Sequence, residues 1–188
     1  MSQQSILLVD STQVRRHAGL TGGIVRFDVG RCSLGTILVA ATDRGVCAVS
    51  LGENADLLLR ELQANFTPTE RASNDPGFGA WMAAIIQCVE HPWEDCPVPL
   101  DLQGTPFQQR VWQLLREIPA GTTTTYTELA HRLGKPNGVR AVGSACAANQ
   151  VAVVIPCHRV VRRDGDLAGY RWGIERKRRL LQREREPR

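Results

Sequence analysis

The texture of this 188-residue chain changes near Gly104, and that change limits its fold more than any other feature. Upstream, short apolar strand-like segments between glycine turns are followed by two stretches of helical spacing. Downstream, apolar residues recur at three- and four-residue steps behind helix-capping signals. Such a chain is expected to fold as α+β: a small α/β unit with antiparallel strands, then a mostly helical unit. The expected boundaries are a leader over 1–22, a first domain over 23–103 and a second over 104–188.

In the first half, Val25, Phe27 and Val29 alternate with Arg26 and Asp28, which predicts a half-buried strand. Ile37 to Ala40 and Val46 to Val49 predict two more, and the tight Asp43-Arg44-Gly45 turn predicts an antiparallel meander. Leu58, Leu59, Leu62 and Phe66 share one helical face. Phe78, Trp81, Met82, Ile85, Ile86 and Val89 mark a second helix that stops at His91-Pro92. Residues 67–77 read as a linker, and Val98, Leu100 and Leu102 as a brief strand. No chemistry is evident here. Cys88, His91 and Cys96 lack a fourth partner and a Cys-x-x-Cys pair, so no metal site is expected. The six cysteines are scattered, which predicts reduced thiols in a cytoplasmic protein. No apolar run reaches the roughly 18 residues of a membrane span.

From Gly104 the signals are sharper. Thr105-Pro106-Phe107-Gln108 and Thr125-Tyr126-Thr127-Glu128 are capping boxes, each opening a helix. Asn137 is expected to cap a third helix running to about Ala148. The last two helices predict a helix-turn-helix. The third helix presents Arg140, Gly143, Ser144 and Ala147 at three- and four-residue steps. One arginine followed by small residues allows close approach to a duplex but reads few base edges. Arg140 is placed to act as a wedge in the base stack. Charge agrees. Residues 1–103 carry 7 Lys+Arg against 12 Asp+Glu, and residues 104–188 carry 16 against 7, so a net of −5 is followed by +9. A helix packed through its small face, and a basic surface with no partner, are the plain alternatives.

Val151 to Ile155 is a short β-branched run that predicts a buried extended segment, stopped by Pro156. Cys157, His158 and Arg159 follow it. A thiol reacts as thiolate, so an adjacent imidazole and guanidinium are candidate activators. A buried structural cysteine is the competing reading. Glu184 shares a face of the last helix with Leu180 and Leu181, and a carboxylate there needs a partner such as His158.

Residues from about Thr105 to Glu184 resemble the O6-alkylguanine-DNA alkyltransferases. The likeness rests on Pro156-Cys157-His158-Arg159-Val160 and on its spacing from Tyr126, Arg140, Asn149 and Glu184. Arg140-Ala141-Val142-Gly143 and Gly169-Tyr170-Arg171-Trp172-Gly173 are most similar to the family's bacterial adaptive-response branch. The resemblance implies a ribonuclease H-like first unit, a winged-helix-like second unit, and base flipping from duplex DNA. It implies irreversible alkyl transfer to Cys157 from O6-alkylguanine, and from O4-methylthymine, by a cytoplasmic bacterial monomer without a cofactor. His158 would take the thiol proton through a water, held by Glu184. Tyr126 would hydrogen-bond the leaving base, and Asn149 would brace the turn before the acceptor. Arg140, Ala141, Gly143, Ser144, Ala147 and Tyr126 would meet DNA. Val160, Tyr170, Arg171 and Trp172 would line the base pocket, where bulky Trp172 would disfavour large alkyl groups. With only a 22-residue leader upstream, repair without a zinc-dependent regulatory switch is expected. A non-catalytic lesion binder or regulator, and a Cys157-His158-Glu184 hydrolase, are the other two readings of the same residues.

Overall fold

The computed structural model describes residues 23–186, so the leader lies outside the described residues. The fold is α+β. Strands β1 (Val25–Cys32), β2 (Gly35–Thr42) and β3 (Gly45–Gly52) form the expected meander. The sheet order is β3-β2-β1-β4, antiparallel except at β4 (Thr69–Arg71), which pairs parallel with β1. The sequence pattern predicts a linker there. Thr69-Glu70-Arg71 is too short and polar to show a period, and only the open edge of β1 makes it a strand.

Helix α1 (Ala55–Asn65) covers one face of the sheet and α2 (Pro76–Glu90) the other. The central strand β2 is buried on both faces, which is why it reads as a continuous apolar run rather than an alternation. Leu38 and Ala40 face Leu58, Leu62 and Phe66 on the α1 side. Ile37, Val39 and Ala41 join a larger core that continues into the second half through Val111, Leu115, Val142 and Val151. Two segments close the outer edge of β3. Leu100 bridges Val46 and Val151 bridges Val49, both parallel. The expected strand around Leu100 is thus a single bridge.

The second half builds α3 (Pro106–Arg116), β5 (Thr124–Thr125), α4 (Tyr126–Arg132), α5 (Val139–Ala147), β6 (Val160–Val161) and α6 (Ile174–Arg183). Both capping boxes form, at Thr105 with Gln108 and at Thr125 with Glu128. The Asn137 cap does not. Pro136–Gly138 is a single 3-10 turn and no side chain caps α5. Instead, Trp112 Nε1 on α3 donates to the Ala145 carbonyl at 2.8 Å and ties α5 to the core.

Two further corrections matter for the site. Val151 to Ile155 is a buried turn, with Val153 at φ +67°. And Cys88 and Cys96 are joined in a disulfide with a Cα–Cα distance of 5.8 Å, against the expectation of thiols throughout. The end of α2 and the returning chain bring the pair together, which spacing in sequence does not show.

Candidate active site

The turn at 151–155 is closed by the Ile155 N–H donating to the Val151 carbonyl at 3.2 Å and is braced at both ends by Asn149. The Asn149 side chain is buried; its Oδ1 accepts from the Val151 N–H at 2.9 Å and its Nδ2 donates to the Ile155 carbonyl at 3.0 Å. A side-chain amide that fills both main-chain partners competes successfully with strand pairing. The same Nδ2 lies 3.2 Å from Cys157 Sγ. Cys157 then opens a 3-10 turn, Cys157–Arg159, rather than capping the end of a strand.

Behind the thiol sits a buried His158–Glu184 pair, with His158 Nε2 2.8 Å from Glu184 Oε1. Arg159 Nε lies 3.1 Å from each carboxylate oxygen, and its other nitrogens reach Glu184 Oε1 at 3.0 Å and the Ile118 carbonyl at 2.6 Å. The Gly121 N–H donates to Glu184 Oε2 at 3.1 Å. Burial alone would raise the Glu184 carboxyl, but the hydrogen bonds and charges of His158 and Arg159 overcome it and hold the group down at about 2. Glu184 is therefore a carboxylate at neutral pH and can only accept. His158 Nε2 must carry the proton, which leaves the lone pair on Nδ1. Nδ1 has no hydrogen-bond partner among the described residues. Burial lowers the pKa of His158, with Glu184 pulling the other way.

The thiol rests protonated. Burial pushes Cys157 up to about 11, and the Asn149 hydrogen bond and Lys177 charge offset only part of that. Lys177 is fully buried, and its Nζ donates to the Val160 carbonyl at 2.6 Å. Sequence reasoning missed it, because it sits in the run Arg176-Lys177-Arg178-Arg179, which reads as a solvated face. On α6, though, Lys177 shares the inward stripe of Leu180, Leu181 and Glu184.

A cavity of about 340 Å³ opens beside Cys157. Tyr126, Gly143 and Ala147 line one side, Tyr170 and Arg171 another, and a second thiol, Cys146, joins the wall. Val160 and Trp172 do not line it. Val160 is buried, with its carbonyl taken by Lys177, and Trp172 is a core residue that meets Tyr170 edge-on at 5.1 Å between ring centres. A large ring gains more from the core than from a wet pocket wall, so Trp172 backs the pocket rather than narrowing it. Arg140, Ala141, Ser144 and Ala147 are exposed on α5 and Gly143 is half-buried, so the small-residue stripe adjoins the cavity mouth.

Residues 106–186 match the family model described as 6-O-methylguanine DNA methyltransferase, DNA binding domain. A methylated-DNA–protein-cysteine methyltransferase of Mycobacterium bovis is 43% identical over 130 residues, covering 68% of this chain and 78% of that protein. The chain belongs to the methylated-DNA–protein-cysteine methyltransferase family. The crystal structure of Mycobacterium tuberculosis OGT in complex with DNA superposes with a TM-score of 0.72. It is 34% identical, and the match covers 86% of this chain and 92% of that one. The bifunctional transcriptional activator/DNA repair enzyme Ada of Escherichia coli is 48% identical over 171 residues, 91% of this chain and 48% of that protein. The chain thus spans about half the length of that relative.

Proposed function

We propose that this chain repairs duplex DNA by direct reversal, moving an alkyl group from O6 of guanine, or O4 of thymine, onto Cys157 Sγ. The observation that carries this reading is a buried thiol at one cavity wall, backed by a histidine whose tautomer a buried carboxylate sets.

In this reading α4 and α5 act as a helix-turn-helix within a winged-helix-like unit, beside a ribonuclease H-like first unit. The exposed stripe of α5 enters the duplex and Arg140 replaces the flipped nucleotide in the stack. The alkylated base enters the cavity between Tyr126 and the Tyr170–Arg171 segment. A water carries the Cys157 proton to His158 Nδ1, and Glu184 stabilises the imidazolium so formed. The sulfur lone pair attacks the alkyl carbon, the C–O bond breaks, and its electron pair passes into the guanine ring. Tyr126 donates to the ring as that charge develops. Burial holds the Tyr126 hydroxyl up at about 12, so it keeps its proton to donate. The product is a thioether, a poor leaving group, so each molecule acts once. No cofactor is required, and a monomer suffices in the bacterial cytoplasm. No described helix is long and apolar enough to cross a membrane.

The test is to incubate the protein with duplex carrying O6-methylguanine and locate the methyl group by peptide mass spectrometry. One methyl on Cys157 per molecule, with no turnover, is expected, and Cys157→Ser should bind the duplex without clearing the lesion. Repeated turnover would favour a hydrolase, and binding without modification a lesion sensor.

A further inference from the structure

Part of what holds Glu184 comes from the first half of the chain. Gly121, whose N–H donates to Glu184 Oε2, has φ +77°, and a Cβ there would lie 2.6 Å from the Trp93 indole and 2.9 Å from the Glu184 carbonyl oxygen. The edge of Trp93 therefore rests against Gly121. Trp93 follows α2 in a loop fastened at its base. Cys88, in the last turn of α2, is bonded to Cys96. Arg183, the residue before Glu184, donates to the Val89 carbonyl at 2.6 Å and lies 3.3 Å from Glu90 Oε2. The loop also walls a cavity of about 540 Å³ that Trp93, Ile118 and Arg159 line. None of the residues around the Cys157 cavity lines this one. The loop thus stands behind the histidine–carboxylate pair and away from the reacting atoms.

We infer that Trp93 is a positioning residue for alkyl transfer: by seating Gly121 it fixes where the Glu184 carboxylate stands, and with it the orientation of His158. The inference rests on the alkyl-transfer reading above. The physical reason is the freedom of glycine. At φ +77° only the surroundings hold Gly121 in place, and with the indole gone an adjoining cavity gives it room to move. Oε2 would then keep only Arg159.

The groups acting on His158 give this a readout that instability alone would not produce. Glu184 raises its pKa by hydrogen bond and charge, while burial, Arg159 and Lys177 lower it. Cys157 is its neighbour in the 3-10 turn, and the Tyr170 ring meets it edge-on at 6.3 Å. A carboxylate that retreats removes the raising contribution. The pKa of His158 then falls, and the acid limb of the transfer rate moves to lower pH. The plateau also drops, because the tautomer is less firmly set.

The experiment is single-turnover methyl transfer from O6-methylguanine duplex, followed against pH for the wild type, Trp93→Ala and Trp93→Phe. Trp93→Ala should reach the same final methylation about tenfold more slowly, the size of an impaired general base. Its acid limb should shift down, and Trp93→Phe should recover most of the rate. A Trp93→Ala variant with wild-type rates overturns the inference, as does a slower one with an unmoved acid limb. If Trp93→Ala does not fold, Trp93→Leu serves, and a wild-type profile there is equally fatal. A wild type that never becomes methylated overturns the transfer reading as well, and so is distinguishable.

Discussion

Glu184→Gln is the sharpest single perturbation, because the hydrogen-bond partners of this carboxylate among the described residues are all donors. Oε1 faces His158 and Arg159, and Oε2 faces Arg159 and Gly121. An amide keeps one acceptor oxygen and presents an NH₂ group elsewhere. If the NH₂ faces His158, the imidazole switches tautomer and Nδ1 carries a proton instead of accepting one. If it faces Gly121 and Arg159, donors oppose donors and a half-buried guanidinium loses its counter-charge. The first arrangement removes the proposed proton path and the second strips the imidazolium of its stabilising charge, so transfer should slow by roughly 10²–10⁴-fold, the range of general-base loss and tautomer reversal. Stability should change as well. A folded carboxyl at about 2 against an unfolded one near 4.3 contributes about 3 kcal/mol at neutral pH. Because the folded pKa is the depressed one, that contribution is fully present above roughly pH 5 and is lost as pH falls through 4 toward 2. Glu184→Gln lacks it, so wild type and variant should differ most at neutral pH and converge in acid. The assays are single-turnover transfer on O6-methylguanine duplex and thermal melting from pH 3 to 8. A folded Glu184→Gln protein that transfers at the wild-type rate would refute the assigned tautomer and the base role together.

Three other outcomes follow from the site. Asn149→Ala leaves the Val151 N–H unpaired in the core, while the Ile155 carbonyl keeps the Cys157 N–H at 2.8 Å, so it should cost about 1–3 kcal/mol and slow transfer; calorimetry with the same rate assay checks both. Lys177→Met removes the buried positive charge that lowers the Cys157 thiol, so the pH at which a small alkylating reagent begins to label Cys157 should rise; an unchanged profile would show the lysine to be structural only. Arg140→Ala should leave folding intact, since Arg140 is exposed, and should lower transfer on duplex far more than on single-stranded substrate, where there is no stack to fill.

What was legible in the sequence is local. The capping boxes at Thr105 and Thr125 are closed within four residues, so their signals survive any tertiary context. The meander was legible because alternation and a two-residue turn are short-range facts. The thiol and its histidine are adjacent in the chain, and Glu184 was placed on the inward face of its helix by the helical repeat alone. What the tertiary structure decided is everything that depends on a partner far away in sequence. Thr69 to Arg71 becomes a strand only beside β1. Val151 to Ile155 has the composition of a strand, yet one buried amide gives its backbone a better set of partners as a turn. Lys177 belongs to a basic run by sequence and to the acceptor's surroundings by packing. Trp172 is assigned to the core, and Cys146 to the pocket wall. Hydrogen bonds between near neighbours in the chain are fixed by backbone geometry. Those across a core depend on which buried polar group finds its complement first, and only the packed molecule settles that.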